Sequence, residues 1–311
     1  MVWDQKIKLT EKDIDILLTG EILIDNIIHK NTDTSSHIIG GSPFNICKNL
    51  TKMHINNRFY GAIGNDSYGL EIQRQIKAWN IQAYLNVTDL STSSVTMDQS
   101  ISSPLPIFRR SADSSILLTK RLLDEIARTK LFHFTYWPLS KEPGRSTILS
   151  LLDKAHANNA LIGFDPNYHP LLDDQEQTGL KTIRDIINRV DIIKPSLDDS
   201  YRMFGEKSTE EYLELYEKLG AKLTIMTLGK EGMIARYQGH TLRLPSMAKD
   251  VIDATGAGDA FWSGFYAGLI FEKSIYQSFV MGLTASSLKM KTIGPEFDVT
   301  DFQIHLERKG I

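Results

Sequence analysis

Two aspartates that flank a Gly-Ala-Gly run form the part of the sequence best suited to chemistry. Asp253 and Asp259 enclose the residues Gly256, Ala257 and Gly258, and an apolar stretch with the length of a buried helix follows. The apolar pair Val251 and Ile252 before them predicts the end of an extended segment. Glycines before a helix leave backbone N–H groups free to face an anion, and the helix dipole favours negative charge there. The stretch therefore predicts an anion site with a carboxylate beside it.

The alternative role for Asp259 is an N-cap, which is the commonest function of an acid at the start of a helix. A cap needs one acid, whereas this stretch has a second aspartate six residues earlier, at Asp253. The helix dipole would also favour the ionised form of Asp259, which weakens it as a base.

The same stretch resembles the D-T-x-G-A-G-D-x-F signature of the ribokinase-like (PfkB-type) carbohydrate kinases, with a shifted threonine at Thr255. The resemblance implies that Asp259 is the base that faces a sugar hydroxyl. It implies that the amides of Gly256 to Gly258 hold the transferring phosphoryl group. Asp253 and Thr255 would frame a monovalent-cation site, for which potassium is the expected ion.

Two further motifs resemble the sugar-binding side of this family. The run from Gly20 to Asp25 is similar to the G-E-x-L-I-D opening of fructokinases, whose Asp accepts hydrogen bonds from sugar hydroxyls. Gly40, Gly41 and Asn45 match G-G-x-x-x-N, which lets the backbone approach the sugar while the Asn both donates and accepts. Without the resemblance, Asp25 would be a surface acid and the glycines a plain loop.

Residues 91–119 are rich in Ser, Thr, Val and Ile, which suits short edge strands. The resemblance implies a small β lid over the sugar, built from segments near 22–38 and 88–119. Arg109 lies in a stretch similar to the Y-R-x-x-A-D of fructokinases, with Phe108 in place of Tyr, and is predicted to bind substrate. A solvated arginine is the alternative.

The nucleotide side departs from the family in three places. Lys194 begins a stretch similar to K-P-N-x-x-E, in which Ser196 stands for Asn and Asp199 stands for the Glu that places Mg²⁺ through water. A capped helix start is the alternative for Asp199. His169 replaces the arginine of D-P-N-Y-R-P and lacks its permanent charge.

The family's T-x-G-x-x-G turn, which faces the nucleotide, has its counterpart at the end of a predicted strand. Thr227, Gly229 and Gly232 match it, so the resemblance implies that they contact ATP together with Lys194. The sequence has neither a P-loop nor a dinucleotide G-x-G-x-x-G motif, which argues against those two classes of nucleotide enzyme.

Strands and helices alternate around these motifs. Residues 131–134 and 160–164 are predicted strands separated by a helix over 144–158, a spacing that implies parallel pairing. The resemblance covers about residues 14–295. It implies a single domain, residues 1–311, with the three-layer α/β/α ribokinase-like fold and a mostly parallel central sheet.

The composition is that of an ordinary globular protein of 311 residues, with 41% hydrophobic and 23% charged residues and a net charge of -3. No basic block suggests nucleic acid or an anionic membrane as a partner. The single cysteine, Cys47, excludes an internal disulfide, and the N-terminus lacks a secretion signal. A cytoplasmic protein is expected.

The resemblance therefore implies an ATP-dependent kinase that uses Mg²⁺ to phosphorylate fructose or a related ketose. A kinase of 2-keto-3-deoxygluconate or of nucleosides with the same fold is the alternative within the family, and Phe44 is the one hint of a base pocket. A non-catalytic binding module is the alternative outside it. A homodimer formed through the lid is also expected.

Overall fold

The computed structural model describes residues 2–28, 34–98, 106–173 and 176–311. Its strands are β1 (Ile14–Thr19), β2 (Leu23–Ile28), β3 (Ser35–Gly40), β4 (Asn57–Gly64), β5 (Ala83–Thr88), β6 (Ser94–Asp98), β7 (Ile107–Arg109), β8 (Thr129–Thr135), β9 (Leu161–Asp165), β10 (Ile192–Ile193), β11 (Leu223–Thr227), β12 (Met233–Tyr237) and β13 (His240–Leu244). Its α-helices are α1 (Ser42–Lys52), α2 (Ser67–Ala78), α3 (Lys120–Ala127), α4 (Tyr136–Leu139), α5 (Gly144–Ala157), α6 (Glu176–Ile187), α7 (Leu197–Phe204), α8 (Thr209–Lys218), α9 (Ala257–Ile270), α10 (Ile275–Lys289) and α11 (Val299–Arg308). Short 3-10 turns occur at Val2–Asp4, Ala112–Ser114, Pro170–Leu172 and Gly229–Glu231.

Within the described ranges, the large sheet has nine strands in the order β13-β12-β11-β10-β9-β8-β1-β4-β5. The seven strands from β11 to β5 pair in parallel, and β12 and β13 add an antiparallel edge. Central strands such as β1 are buried on both faces, which explains their largely apolar sequence. The predicted parallel pairing of 131–134 with 160–164 is confirmed by β8 and β9.

Helices cover both faces of this sheet. One apolar core joins one face of the sheet to α1, α2, α9, α10 and α11, and a second joins the other face to α3 through α8. The predicted three-layer α/β/α fold with a mostly parallel sheet is therefore confirmed. None of the helices in the described ranges combines the length and apolar character needed to cross a membrane.

A second sheet of four strands, in the order β3-β2-β6-β7, is built from the described parts of the two segments predicted to form the lid. β2 pairs in parallel with β6, and β3 and β7 pair antiparallel at the edges. The remaining lid residues, 29–33 and 99–105, lie outside the described ranges. The function of this sheet as a lid, and the homodimer through it, stay predictions.

One local expectation was wrong. The apolar pair Val251 and Ile252 suggested a strand leading into the Gly-Ala-Gly run, but both residues are exposed and lie in the loop between β13 and α9. The amide of Ile252 donates to the carbonyl oxygen of Met290, 2.8 Å away, so this loop is anchored to the end of α10. Two apolar residues in a row do not distinguish a strand from an exposed loop.

Close packing of α9 against α10 fixes the helix that carries Asp259. Gly264 of α9 faces α10 so closely that an added Cβ would lie 2.4 Å from the carbonyl oxygen of Met281 and 2.9 Å from Cβ of Ala285. A glycine at this position lets the two backbones approach each other, and any larger residue must push them apart.

We therefore expect Gly264→Val to lower the free energy of unfolding by about 1–3 kcal/mol, because overpacking a closely packed core forces the backbone to shift. The measurement is urea unfolding followed by circular dichroism. Ser146→Val, which places the same side chain on an exposed position of α5, should change stability by less than about 0.5 kcal/mol. Equal stability of the two variants would contradict this account of the contact.

Candidate active site

Asp259 is the third residue of α9 and contacts α1. The helix is preceded by Gly256, which has the left-handed φ of 77° and supplies no side-chain cap. The two carboxylate oxygens of Asp259 accept hydrogen bonds from Ser42 Oγ at 2.6 Å and from Asn45 Nδ2 at 2.8 Å. The N-cap alternative for Asp259 is therefore wrong, because its side chain points to another helix.

A cavity of about 430 Å³ opens in front of this carboxylate. The second sheet contributes Asp25, Val95 and Phe108 to its wall, and the start of α1 contributes Ser42 and Asn45. The predicted substrate residues Asp25, Gly41 and Asn45 are thus brought together with Asp259, as the sequence predicts. The mixture of acids, amides and aromatic rings suits a polyhydroxylated ligand of small size.

Three acids share this part of the molecule, and all are harder to ionise than usual. Burial raises the pKa of Glu21 to about 8, against the hydrogen bonds that its carboxylate accepts from Thr135 and Ser42. Burial, and next the charge of Asp259, raise the pKa of Asp25 to about 7. Burial also raises the pKa of Asp259 to about 6, although Ser42 and Asn45 act to lower it.

The raised pKa of Asp259 differs from the expectation that the helix dipole keeps its pKa low. Burial and the neighbouring charge of Asp165 outweigh the groups that favour ionisation. With a pKa near 6 the carboxylate is still mostly ionised at pH 7, and it is a stronger base than an ordinary aspartate.

Gly40 and Gly41 make room for these acids. A Cβ on Gly40 would lie 1.9 Å from Oδ2 of Asp25, and a Cβ on Gly41 would lie 2.3 Å from the carbonyl oxygen of Glu21. Gly41 also has a φ of 108°, which side chains disfavour. Both predicted glycines are therefore needed for the close approach of β2 and β3 to the start of α1.

Asn45 has one half of its amide engaged and the other half free. Its Nδ2 donates to Asp259, while its Oδ1 is buried and has no hydrogen-bond partner within the described part of the chain. An unpaired buried acceptor is costly, so a ligand hydroxyl that donates to it would be favoured.

The turn at Gly256 to Gly258 has an amide arrangement that partly matches the prediction. The amide of Ala257 already donates to the carbonyl oxygen of Ala254 at 3.1 Å. For the amides of Gly256 and Gly258 the described residues offer no acceptor, and both glycines line the cavity. These two amides at a helix start are therefore suited to an anion.

Lys194 adds a positive charge beside this turn. Its Nζ lies 3.0 Å from Oδ2 of Asp165, and a Cβ on Gly258 would lie 3.6 Å from it. The same Asp165 oxygen accepts a hydrogen bond from Trp262 Nε1 at 2.7 Å, which fixes the carboxylate. The ammonium is thus held in a buried position where a transferring anionic group between the two cavities could meet it.

A second cavity of about 370 Å³ lies on the other side of Gly258. The predicted nucleotide residues Thr227, Gly229 and Gly232 all line it, with apolar contributions from Phe261 and Leu283. Both cavities share Ser196, Asp198, Thr227 and Gly258 in their walls. Two ligands bound in these cavities would therefore meet beside the free amides.

Asp199, the predicted magnesium residue, has a structural role. It forms a capping box with Ser196: its Oδ2 accepts from the amide and the hydroxyl of Ser196, at 2.9 and 2.6 Å. Its Oδ1 accepts from the amide of Tyr168 at 3.0 Å. The capping alternative is thus observed, and a metal could be reached from Asp199 only through water.

The predicted cation site at Asp253 and Thr255 lies beside the ammonium group of Lys289. Asp253 Oδ1 accepts from the Thr255 amide at 2.9 Å, whereas its Oδ2 lies 3.0 Å from Nζ of Lys289. The side chain of Lys289 is fully buried.

Two expected contacts are not formed. Arg109 is exposed at the end of β7 and is not among the described residues that line the cavity, whereas its neighbour Phe108 faces inward. Phe44 is buried against Phe59 and Trp79, so it cannot border a nucleobase in this cavity. Alternation along β7 explains the outward position of Arg109, whose binding of substrate stays a prediction.

The sequence reasoning missed three residues of the site. Glu21, Ser42 and Asp165 lie within matched motifs, but the sequence assigned none of them a role in the site. Each lies inside a motif that was recognised: Glu21 follows Gly20, Ser42 follows Gly41 and Asp165 opens Asp-Pro-Asn. A buried acid predicted at a strand end was the available signal for Asp165.

Comparison with known proteins agrees with this geometry. A family model described as pfkB family carbohydrate kinase matches residues 11–301. The ATP-dependent 6-phosphofructokinase of Thermoanaerobacterium thermosaccharolyticum is 39% identical over 305 residues, which cover 96% of this chain and 95% of the relative.

Solved structures are similar over most of the chain. The fructokinase of Halothermothrix orenii has a TM-score of 0.79 at 31% identity and covers 88% of this chain and 98% of its own. A fructokinase of Vibrio cholerae O395, solved with fructose, ADP and calcium, has a TM-score of 0.80 at 22% identity and covers 91% and 94% of the two chains. Sugar, nucleotide and a metal ion are thus bound together in a protein of the same fold.

The raised pKa of Asp25 predicts that this acid destabilises the unliganded fold at high pH. Its folded pKa of about 7 lies above the ordinary value, so its contribution to stability is present at low pH and is lost as the pH rises through 7. One pKa unit corresponds to about 1.4 kcal/mol. Asp25→Asn should therefore raise the free energy of unfolding at pH 8 by at least about 1 kcal/mol.

Urea unfolding at several pH values measures this effect. The advantage of Asp25→Asn over the unmodified protein should shrink as the pH falls from 8 to 4, because the carboxyl group of Asp25 becomes protonated in the folded protein over this range. Asp185→Asn, at an exposed position of α6, serves as the control and should change stability by less than about 0.5 kcal/mol. A stability advantage that does not depend on pH would contradict the electrostatic cause.

Proposed function

Because the chain belongs to the pfkB family of carbohydrate kinases, we propose that it transfers the terminal phosphoryl group of ATP to a primary hydroxyl of fructose. That it is an ATP-dependent sugar kinase follows from the family, and the choice of fructose is the proposal. The observation that carries the phosphoryl transfer is the position of Asp259 in the wall of the first cavity, beside the amides of Gly256 and Gly258, because Gly258 also lines the second cavity. A base and an anion site then face one reacting hydroxyl.

Asp259 acts as the general base in this proposal. Ser42 and Asn45 hold both oxygens of its carboxylate, so the carboxylate cannot rotate away from the sugar cavity. As the hydroxyl oxygen attacks phosphorus, its proton passes to Asp259. Since phosphoryl transfer has a loose transition state, the proton leaves late and a base with a pKa near 6 suffices.

The amides of Gly256 and Gly258 and the ammonium of Lys194 stabilise the charge on the transferring group. They lie beside the turn that both cavities share, where water is largely excluded once ligands are bound. Fixed donors of this kind stabilise developing charge without reorganising during the reaction.

ATP and Mg²⁺ complete the proposal. Thr227, Gly229 and Gly232 would contact the nucleotide in the second cavity. In the described ranges no group of three or more His, Cys, Asp or Glu could enclose a metal ion. The residues fit a Mg²⁺ ion bound mainly by the phosphates, which Asp198, in the wall of both cavities, and Asp199, through water, would help to hold.

When bound, Mg²⁺ neutralises phosphate charge. Potassium is not part of the proposal, because Lys289 already contacts Asp253.

Fructose is supported by the charges of the sugar cavity. Its described wall has the acids Glu21, Asp25, Asp165, Asp198, Asp199 and Asp259. Its cations are Lys194, which is paired with Asp165, and Arg202, which lies 3.8 Å from Asp199. Both cations already face acids of the described wall, so none is left for a phosphate group on the sugar, whereas the acids can bind the hydroxyl groups of a neutral polyol.

Fructose 6-phosphate is the second candidate. The 39% identity to an ATP-dependent 6-phosphofructokinase favours it, since that relative matches nearly the whole chain. A 6-phosphate would need cations beyond those on the described wall. Both candidates are sugars that would react through a primary hydroxyl with Asp259 as the base, so they differ only in the specificity of the sugar cavity.

We also propose that the active form is a homodimer joined through the four-stranded sheet, as the family resemblance implies.

Asp259→Asn should lower kcat by about 10²–10⁴-fold, because general-base assistance contributes that much and an amide cannot accept the proton. Sugar binding, measured by calorimetry with a non-hydrolysable ATP analogue, should be retained. Asp185→Asn is the control of the same chemical change at an exposed site. Turnover of Asp259→Asn close to that of the control would refute the assignment of the base.

A substrate panel tests the sugar. We expect kcat/KM for fructose to exceed that for fructose 6-phosphate, 2-keto-3-deoxygluconate and adenosine by at least about tenfold, which corresponds to 1.4 kcal/mol. ADP release under one set of conditions is the measurement. Preference for fructose 6-phosphate would replace fructose by the second candidate and leave the kinase assignment intact. Activity with none of the four would refute both.

A further inference from the structure

A buried ammonium lies where the family resemblance implies a monovalent cation. Lys289, the last residue of α10, is fully buried, and its Nζ lies 2.7 Å from the carbonyl oxygen and 3.0 Å from Oδ2 of Asp253. A buried ammonium is tolerated only when it is paired and hydrogen-bonded, so this contact is a fixed part of the fold.

The carboxylate of Asp253 joins two loops around this ammonium. Its Oδ1 accepts from the amide of Thr255 at 2.9 Å and its Oδ2 accepts from the amide of Gly294 at 3.2 Å. Burial alone would raise the pKa of Asp253, but these hydrogen bonds, with that of Lys289, hold it below its ordinary value. The carboxylate is therefore ionised and its charge is already balanced.

The same loops support the anion site. The amides of Ile252 and Asp253 donate to the carbonyl oxygen of Met290, and Gly256 packs so closely on Pro295 that a Cβ would lie 2.9 Å from Cα of Pro295. The chain after α10 thus holds the turn that presents the amides of Gly256 and Gly258. The cation that neutralises the charge of Asp253 therefore also stabilises the turn from Gly256 to Gly258.

We infer that the ammonium of Lys289 takes the place of a monovalent cation beside Asp253 and Thr255, so that the protein binds no potassium there and does not need it for turnover. The statement about turnover rests on the proposed kinase function, whereas the statement about binding does not. A potassium ion bound to the same oxygens of Asp253 would be repelled by the like charge of the ammonium.

The first experiment compares the unmodified protein in potassium chloride and in tetramethylammonium chloride at equal ionic strength. We expect kcat to agree within about twofold and the melting temperature of the ligand-free protein to agree within about 1 °C, because no cation site is open. Saturable activation by potassium, or a rise in melting temperature specific to potassium, would overturn the inference. The melting temperature remains decisive if no sugar is phosphorylated.

The second experiment removes the internal charge. Lys289→Met keeps the length and apolar stem but leaves Asp253 unbalanced, so kcat in tetramethylammonium should fall at least about tenfold. Potassium should then restore activity and raise the melting temperature in a saturable manner, with a stabilisation that grows as RT ln(1 + [K⁺]/Kd). Lys291→Met, at an exposed position two residues later, is the control and should respond to neither cation.

A Lys289→Met protein that is destabilised but indifferent to potassium would also overturn the inference, because no cation site would then lie under the ammonium. If this variant fails to fold, Lys289→Gln, which can still donate to Asp253 without carrying a charge, replaces it with the same expected response. Thallium binding observed by ²⁰⁵Tl NMR gives an independent measure. The Lys289→Met protein should bind the ion, and the unmodified protein should not.

Discussion

The contact between Asp259 and the start of α1 is the interaction on which the site depends. Two hydrogen bonds from Ser42 and Asn45 join residues more than 200 positions apart in the chain. They form only if α9 is packed on α10, if β2 and β3 bring the second sheet to the cavity, and if Gly41 allows α1 to begin beside Glu21. A carboxylate that is buried but still ionisable is the outcome.

Burial of several acids in one place opposes folding, because each carboxylate loses water and faces like charges. The protein offsets this cost with donors: Thr135 and the Ser42 amide for Glu21, and Lys194 and Trp262 for Asp165. The compensation is incomplete, because the pKa values of Glu21, Asp25 and Asp259 all stay raised by burial. Sites that hold reacting groups commonly retain such unfavourable electrostatics.

Much of the fold followed from the sequence, because strands buried on both faces and helices with capping residues have local patterns. The strands Thr129–Thr135 and Leu161–Asp165 and the helix Gly144–Ala157 were predicted within a few residues. The glycine and aspartate motifs also located the cavity, since the resemblance fixed which loops meet. Val251 and Ile252 were misjudged because exposure cannot be read from two apolar residues.

Contacts between side chains that are distant in the sequence could not be predicted. Asp199 looked like a metal residue, yet its oxygens are taken by Ser196 and Tyr168. Arg109 looked like a substrate residue, yet the alternation along a three-residue strand turns it outward. Lys289 carried no signal, because a lysine at the end of a helix is normally a solvated residue and only tertiary contacts reveal its burial.

Electrostatic repulsion between the carboxylates of Asp25 and Asp259 makes sugar binding depend on pH. Without sugar, burial and next the charge of Asp259 raise the pKa of Asp25 to about 7, so its carboxyl group is partly protonated near neutrality. A polyol that donates a hydroxyl to Asp25 favours the ionised form, so its arrival expels part of a proton into the solvent. The heat of binding would then vary with the ionisation enthalpy of the buffer, and affinity for the sugar would increase from pH 6 to pH 8.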